Sequence, residues 1–146
     1  MPATDPAIPP DQWPLSPAGR AAARALDVPR NARVLSSDER KAVETAEQLD
    51  PGELIVDPRV RETTRPHEWR DDFRDRVRAY LAGTRHPGWE AHADVVARFD
   101  AAVREHQPDI LVTHVQAMTL WLHAKGTIYD PVTFWDELVF PHAVAV

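Results

Sequence analysis

A histidine closes the apolar run ILVTH, Ile110 to His114, and a helix-like pattern follows it. A histidine at a strand tip is either a satisfied structural residue or a functional one, and the functional reading needs partners of the right chemistry elsewhere. A similar arrangement stands earlier, where the run ARVLSS ends in Ser36–Ser37 and a basic pair, Arg40–Lys41, opens the next helical pattern. A helix N-terminus presents free backbone N–H groups and roughly half a positive charge. A basic side chain there makes either a phosphate-sized anion site or an ordinary solvated helix start. Asp57 closes a third apolar run, ELIVD.

Residues so far apart need a scaffold to meet. The runs 32–37, 53–57 and 109–113 read as short buried strands. Ser16 is a natural N-cap and Pro17 suits the first helical position, which starts a helix that reaches about Leu26. Residues 38–49 read as a helix with Asp38 and Glu39 in its first turn, where the dipole favours acids. Residues 67–82 place Trp69, Phe73, Val77 and Tyr80/Leu81 on one face, and Gly83 ends that helix. Val95, Val96, Phe99 and Val103 mark the inward face of a helix over 91–106. Residues 116–126 form another, closed by Gly126. The first 14 residues hold five of the 14 prolines and read as an extended, irregular segment. FWDELVF is ambiguous, and HAVAV at the end fits an edge strand. Strands alternate with helices, which predicts a single α/β domain over 1–146, with a mainly parallel sheet covered by helices on both faces. In such sheets ligands bind outside the carboxyl ends of the strands. Ser36–Ser37, Asp57 and His114 all sit there.

Composition narrows the partners. The 146 residues carry 17 basic and 23 acidic side chains, a formal charge of −6. Nucleic acid is not the expected partner of such a chain, whereas a small phosphorylated molecule needs only a local positive cluster. There is no cysteine, so disulfides, thiolate metal sites and cysteine nucleophiles are excluded. No apolar run reaches the length of a membrane span and no basic-then-apolar leader pattern opens the chain, so a cytoplasmic location is expected.

Several segments, taken in order, resemble the histidine phosphatase superfamily, the phosphoglycerate-mutase-like proteins. SSDERKAVETAEQL is similar to the family's S-S-x-x-x-R-A-x-x-T-A segment, and PLSPAGRAAARAL to the P-L-T-x-x-G-x-x-Q-A segment before it. DPRVRET resembles its L-x-E segment, and GWEAHADVVARFDAAV its E-S-x-x-x-x-x-x-R helix. ILVTHVQAM resembles V-x-S-H-G-G, and FPHAVAV the closing P-N-x-S-V strand. The resemblance implies a phosphoglycerate-mutase-like three-layer fold and hydrolysis of a phosphomonoester through a phosphohistidine, without metal or cofactor. Hydrolysis is favoured over mutase chemistry. His114 falls on the family's second histidine. Lys41 falls on a phosphate-binding arginine, where it keeps the charge and loses the bidentate fork. Glu62 falls on the acid/base carboxylate; read without the resemblance, it is a surface acid beside Arg59, Arg61 or Arg65. Glu90 and Arg98 are expected to serve structure. Trp69, Arg70, Arg85 and Trp89 are candidate walls of the substrate pocket.

Two features depart from the family pattern. Neither the R-H-G motif that carries the nucleophile nor its strand precedes MPATDPAIPP, and the other six histidines read as loop or helix-surface residues. The resemblance therefore implies a domain truncated on its N-terminal side. Its first central strand is missing, and the gap in the sheet exposes ladder groups that invite self-association. Met1 is then either internal to a longer product or the start of a truncated relative. The expected function is a histidine-phosphatase-type hydrolase whose nucleophile is absent from this chain. The alternative is a non-catalytic phospho-ligand-binding or interaction protein. The second departure is Val115–Gln116 in place of Gly–Gly, which adds bulk beside His114 where glycine would admit a phosphate.

Overall fold

A computed structural model of the chain describes residues 2–3, 7–66 and 70–144. Three strands, β1 (Arg33–Ser36), β2 (Glu53–Val56) and β3 (Ile110–Val112), form a parallel sheet in the order β2-β1-β3. The register puts Leu35 opposite both Ile55 and Leu111. Alternate residues of a strand face opposite sides, so this row of three faces one layer. There it packs with α3 (Phe73–Leu81), α4 (His92–His106) and α5 (Val115–Ala124) around Val77, Phe99 and Leu120. Val34 and Ser36 are fully buried on the other face, where α2 (Arg40–Glu47) packs across all three strands. Each large apolar side chain sealed in this way contributes roughly 1.5–3 kcal/mol.

Helix α1 (Pro17–Arg24) starts at Ser16, whose Oγ accepts the Gly19 N–H at 3.0 Å. It leans on α2 through Glu44, which accepts from the Leu15 N–H at 2.7 Å and pairs with Arg20 at 2.6 Å. The described residues of the proline-rich start are tied down nearby. Pro2 bridges to Leu15, and Pro10–Gln12 form a short 3-10 turn against α2.

The structure corrects the sequence reading in several places. The helix expected over 67–82 runs from Phe73 to Leu81, and residues 67–69, with Trp69, lie outside the described residues. Asp38 and Glu39 precede α2 rather than filling its first turn, because Glu39 has extended backbone and is the N-cap residue. FWDELVF contributes to a helix, α6 (Pro131–Glu137), which Asp130 caps through the Val132 and Thr133 N–H groups. Residues 142–144 form no strand, and 145–146 lie outside the described residues. No gap separates the three strands, since β1 pairs directly with both neighbours. The sheet instead has two open edges, β2 and β3, whose residues are half-buried or exposed where those of β1 from Val34 onward are sealed. None of the described helices is long and apolar enough to cross a membrane.

Candidate active site

A cavity of about 390 Å³ is lined by Lys41, Glu62 and His114, so side chains separated by up to 73 positions meet in one place. Lys41 arrives on α2 after β1, Glu62 on the segment beyond the 3-10 turn that follows β2, and His114 at the head of α5 after β3. Residues of the first turn, Pro10, Asp11 and Trp13, make one wall.

His114 is the N-cap residue of α5 and is buried. Its Nε2 lies 2.9 Å from Ser37 Oγ and 3.4 Å from Glu39 Oε1. Ser37 Oγ also accepts the Glu39 N–H at 3.2 Å, which fixes the two serine-end residues against the ring. Burial pushes His114 below the ordinary imidazole value, against the pull of Glu39 and Glu62, and leaves the ring neutral at pH 7.

Lys41 sits in the first turn of α2 and donates to the Pro10 carbonyl at 2.9 Å and to the Glu39 carboxylate. Burial alone would raise the Glu39 carboxyl. The facing His114 ring, the Lys41 ammonium and the Glu62 N–H outweigh burial and hold it below its ordinary range.

Glu62 follows the 3-10 turn Pro58–Val60. Its Oε1 accepts from the Thr63 and Ala117 N–H groups at 2.9 Å each, and its Oε2 from the Gln116 N–H at 3.3 Å. The carboxylate therefore occupies the N-terminus of α5, where free donors and the helix dipole hold an anion. Thr63 Oγ1 donates to Gln116 Oε1 at 3.0 Å and ties the same two segments. Behind them, Arg98 forks onto Glu90 at 2.7 and 3.0 Å and donates to the carbonyls of Arg59, Arg61 and Glu62. These two residues position Glu62 through its backbone.

Other expectations fare differently. Asp57 does not line the cavity; it caps the 3-10 turn and is gripped by Arg59. Val115 does not line it either, so the bulk expected beside His114 is absent from the cavity wall. The group that fills the space is Glu39, which sequence reasoning assigned to the helix dipole. Its signal was its place two residues before Lys41, beside a helix start that already carries a cation. Arg65 was also missed as a lining residue. Its Nε is buried without a hydrogen-bond partner, and its guanidinium lies 4.6 Å from the Phe73 ring centroid. Arg65 also lines a second cavity of about 290 Å³, with Arg70, Phe73, Arg76 and Trp89 among its walls. Arg85 lines neither cavity. Among the described residues, no group of three or more histidine, aspartate and glutamate side chains is placed to hold a metal ion.

The family model of the histidine phosphatase superfamily, branch 1, matches residues 10–141. The chain belongs to the histidine phosphatase superfamily. Solved structures of this family's phosphatases agree in fold. A structure described as mycobacterial hydrolase 1 is 26% identical with a TM-score of 0.59, over 87% of this chain and 74% of that one. The mycobacterial glucosyl-3-phosphoglycerate phosphatase, solved with VO3, is 25% identical with a TM-score of 0.59, over 88% of this chain and 75% of that one. The same enzyme with inorganic phosphate gives 26% and 0.58 over 88% and 75%. No curated protein matches the sequence.

Proposed function

We propose that the cavity binds the phosphoryl group of a small phosphomonoester and that its chemistry is the hydrolysis typical of histidine phosphatases. The observation that supports this reading is the meeting of Lys41, Arg65, His114 and Glu62 around one 390 Å³ space. Phosphoryl transfer is mostly positioning plus stabilisation of charge on the equatorial oxygens. Lys41 and Arg65 supply that charge, and His114 Nε2 supplies a hydrogen bond. In the family's reaction, which needs an attacking histidine as well, the carboxylate at the Glu62 position protonates the leaving oxygen and then activates water. The organic part of the substrate lies toward the adjoining cavity, where Arg70 and Arg76 favour an anionic group and Trp89 and Phe73 an apolar face.

The family's route starts from a histidine that attacks in line. Among the described residues, His114 is the one histidine lining the cavity, and its Nε2 is turned onto Ser37 and Glu39. On this reading the 146-residue chain binds phosphomonoesters without turning them over, which is also the behaviour of a non-catalytic phospho-ligand-binding relative. Two measurements test it: inorganic phosphate binding by calorimetry, and phosphate release from an aryl phosphate. Binding that weakens at least tenfold in Lys41→Ala, with no release, is expected. Robust release that disappears in His114→Ala would make His114 the nucleophile and overturn the assigned roles. The half-buried β3 edge suggests a second partner, another copy of the chain. Sizing over a range of concentrations should give a concentration-dependent dimer; a monomer throughout would remove this partner.

A further inference from the structure

Glu39 holds the contacts that an incoming phosphoryl group would need. Its Oε2 takes the Lys41 ammonium, while its Oε1 faces His114 Nε2 at 3.4 Å and accepts the Glu62 N–H at 3.2 Å. The side chain is only 10% exposed, so this is a built arrangement and not a solvated acid lying over the mouth. A carboxylate and a phosphate oxyanion compete for the same donors, and two anions that share them repel each other. The surrounding charge does not relieve the conflict. Lys41, Arg61 and Arg65 face Asp11, Glu39 and Glu62 around the cavity, and Arg61 is already forked onto Asp38. With Glu39 ionised and His114 neutral, the lining offers a dianion no net positive charge. Nor does the carboxylate serve the helix it precedes, because Glu39 makes no side-chain cap to α2.

We propose that Glu39 is an internal stand-in for the phosphoryl group and sets the affinity of the cavity for anions. Before a phosphoryl group binds, the carboxylate must either swing off Lys41 and His114 or take up a proton. The inference rests on the phosphate-site reading above. The protonated form of Glu39 stays in place and donates its O–H to a phosphoryl oxygen, so binding draws a proton from solution. The groups that face Glu39 are Lys41 on α2, His114 at the head of α5, Arg61, Glu62 and Arg65 after β2, and Asp11 in the N-terminal wall. His114, held neutral by burial, has no acidic proton to hand to Glu39, so the proton comes from solution.

The test is calorimetric titration of the whole chain with inorganic phosphate at pH 6 and pH 8, in two buffers of different ionisation enthalpy. Wild type is compared with Glu39→Gln, Glu39→Ala and the double variant Glu39→Gln/Lys41→Ala. Both single variants should bind phosphate at least tenfold more tightly than wild type at pH 8, with a narrower gap at pH 6. Wild type should take up more protons on binding than either variant. The double variant should lose the gain. Thermal melting confirms that each variant is folded, and Glu39→Ala decides if Glu39→Gln is not. Folded Glu39 variants that bind phosphate no more tightly than wild type at pH 8 would overturn the inference and leave the phosphate site standing. No phosphate binding by any form would overturn both.

Discussion

Among the described residues, two histidine–carboxylate pairs stand beside strand ends, and they serve opposite ends. In the first, His106 at the end of α4 places Nε2 2.9 Å from Asp57 Oδ2, just beyond β2. In the second, His114 faces Glu39 beyond β3 and β1. The partners differ. Asp57 accepts from its own turn at the Arg59 N–H, at 2.8 Å, and from the Arg59 side chain on both oxygens. Arg59 holds that carboxyl well below the ordinary carboxylate range. Glu105 closes the far side of Arg59 at 2.9 Å. None of these residues lines either of the two cavities described above, and the cluster fastens β2 to α4. Glu39 and His114 make similar contacts around a space of about 390 Å³. The residue pair does not distinguish structure from function; what separates them is whether the surrounding donors leave room for a ligand.

The largest effect is expected where one residue supports both pairs. Arg98 donates to the carbonyls of Arg59 and Arg61 and to that of Glu62, and its side chain and that of Glu90 are less than 20% exposed. Arg98→Ala leaves Glu90 without its guanidinium and three carbonyls without a donor. Removing one partner of a buried pair costs about 3–5 kcal/mol, and partial exposure puts this one near the lower end. Denaturant melts should show that loss, and phosphate affinity should fall with it because Glu62 loses its support. Arg98→Lys keeps the charge without the fork and should fall between. Unchanged stability in Arg98→Ala would mean that the two sites are held independently.

Next in size is Asp57→Ala. The turn loses its cap and Arg59 and His106 lose their shared acceptor, at a cost of about 2 kcal/mol. The pH dependence gives the sign. A carboxyl whose folded pKa is depressed adds stability above its unfolded value, near 3.9, and loses it as pH falls through that value toward the folded one. The gap between wild type and Asp57→Ala should therefore be full at pH 7 and shrink below about pH 4. Phosphate affinity should not change. A gap that persists at pH 2, or a change in affinity, would break the division between a sealed cluster and an open one.

The sequence made the scaffold more legible than the site. Val34 and Leu35, and the spacing of Val95 and Phe99, follow periodicities that burial dictates, so β1 and α4 stand close to where the patterns put them, although Ala102 is sealed where Val96 and Val103 are half-buried. FWDELVF carries no such signal, since α6 buries none of its residues fully, and its start is set by the Asp130 cap. That Lys41, Glu62 and His114 meet was traceable because each follows a strand in a parallel sheet, whereas their choice came from the family resemblance. Glu39 was not, because local rules assign an acid before a helix to the dipole, and only the tertiary placement of His114 and Glu62 reveals its other partners. The N-terminal wall was hidden for the same reason. Prolines predict an extended segment but not the Glu44 contacts that draw it over α2.

The smallest effect belongs to the histidines themselves, where the two pairs can be set against each other directly. In His106→Gln a side-chain amide can still donate toward Asp57, and the carboxylate keeps every Arg59 contact. One hydrogen bond to the Asp57 carboxylate is exchanged for another from the amide, a change of about 0.5–1.5 kcal/mol, and the solvent around this half-buried ring reduces it further. Stability should drop by less than about 1 kcal/mol, and phosphate affinity should stay within twofold. In His114→Gln the ring that spans Ser37 Oγ and Glu39 Oε1 is replaced by a group that cannot keep both contacts in a buried space. Its stability loss should also be modest, because the imidazole was neutral and no buried charge is orphaned. Its phosphate affinity, however, should fall at least fivefold. The pair of variants is therefore read by binding and not by melting. If both lost affinity equally, the His106 cluster would be coupled to the cavity through the Arg98-held segment. If neither did, His114 would be a core histidine like its counterpart, and the phosphate site would rest on Lys41 and Arg65 alone.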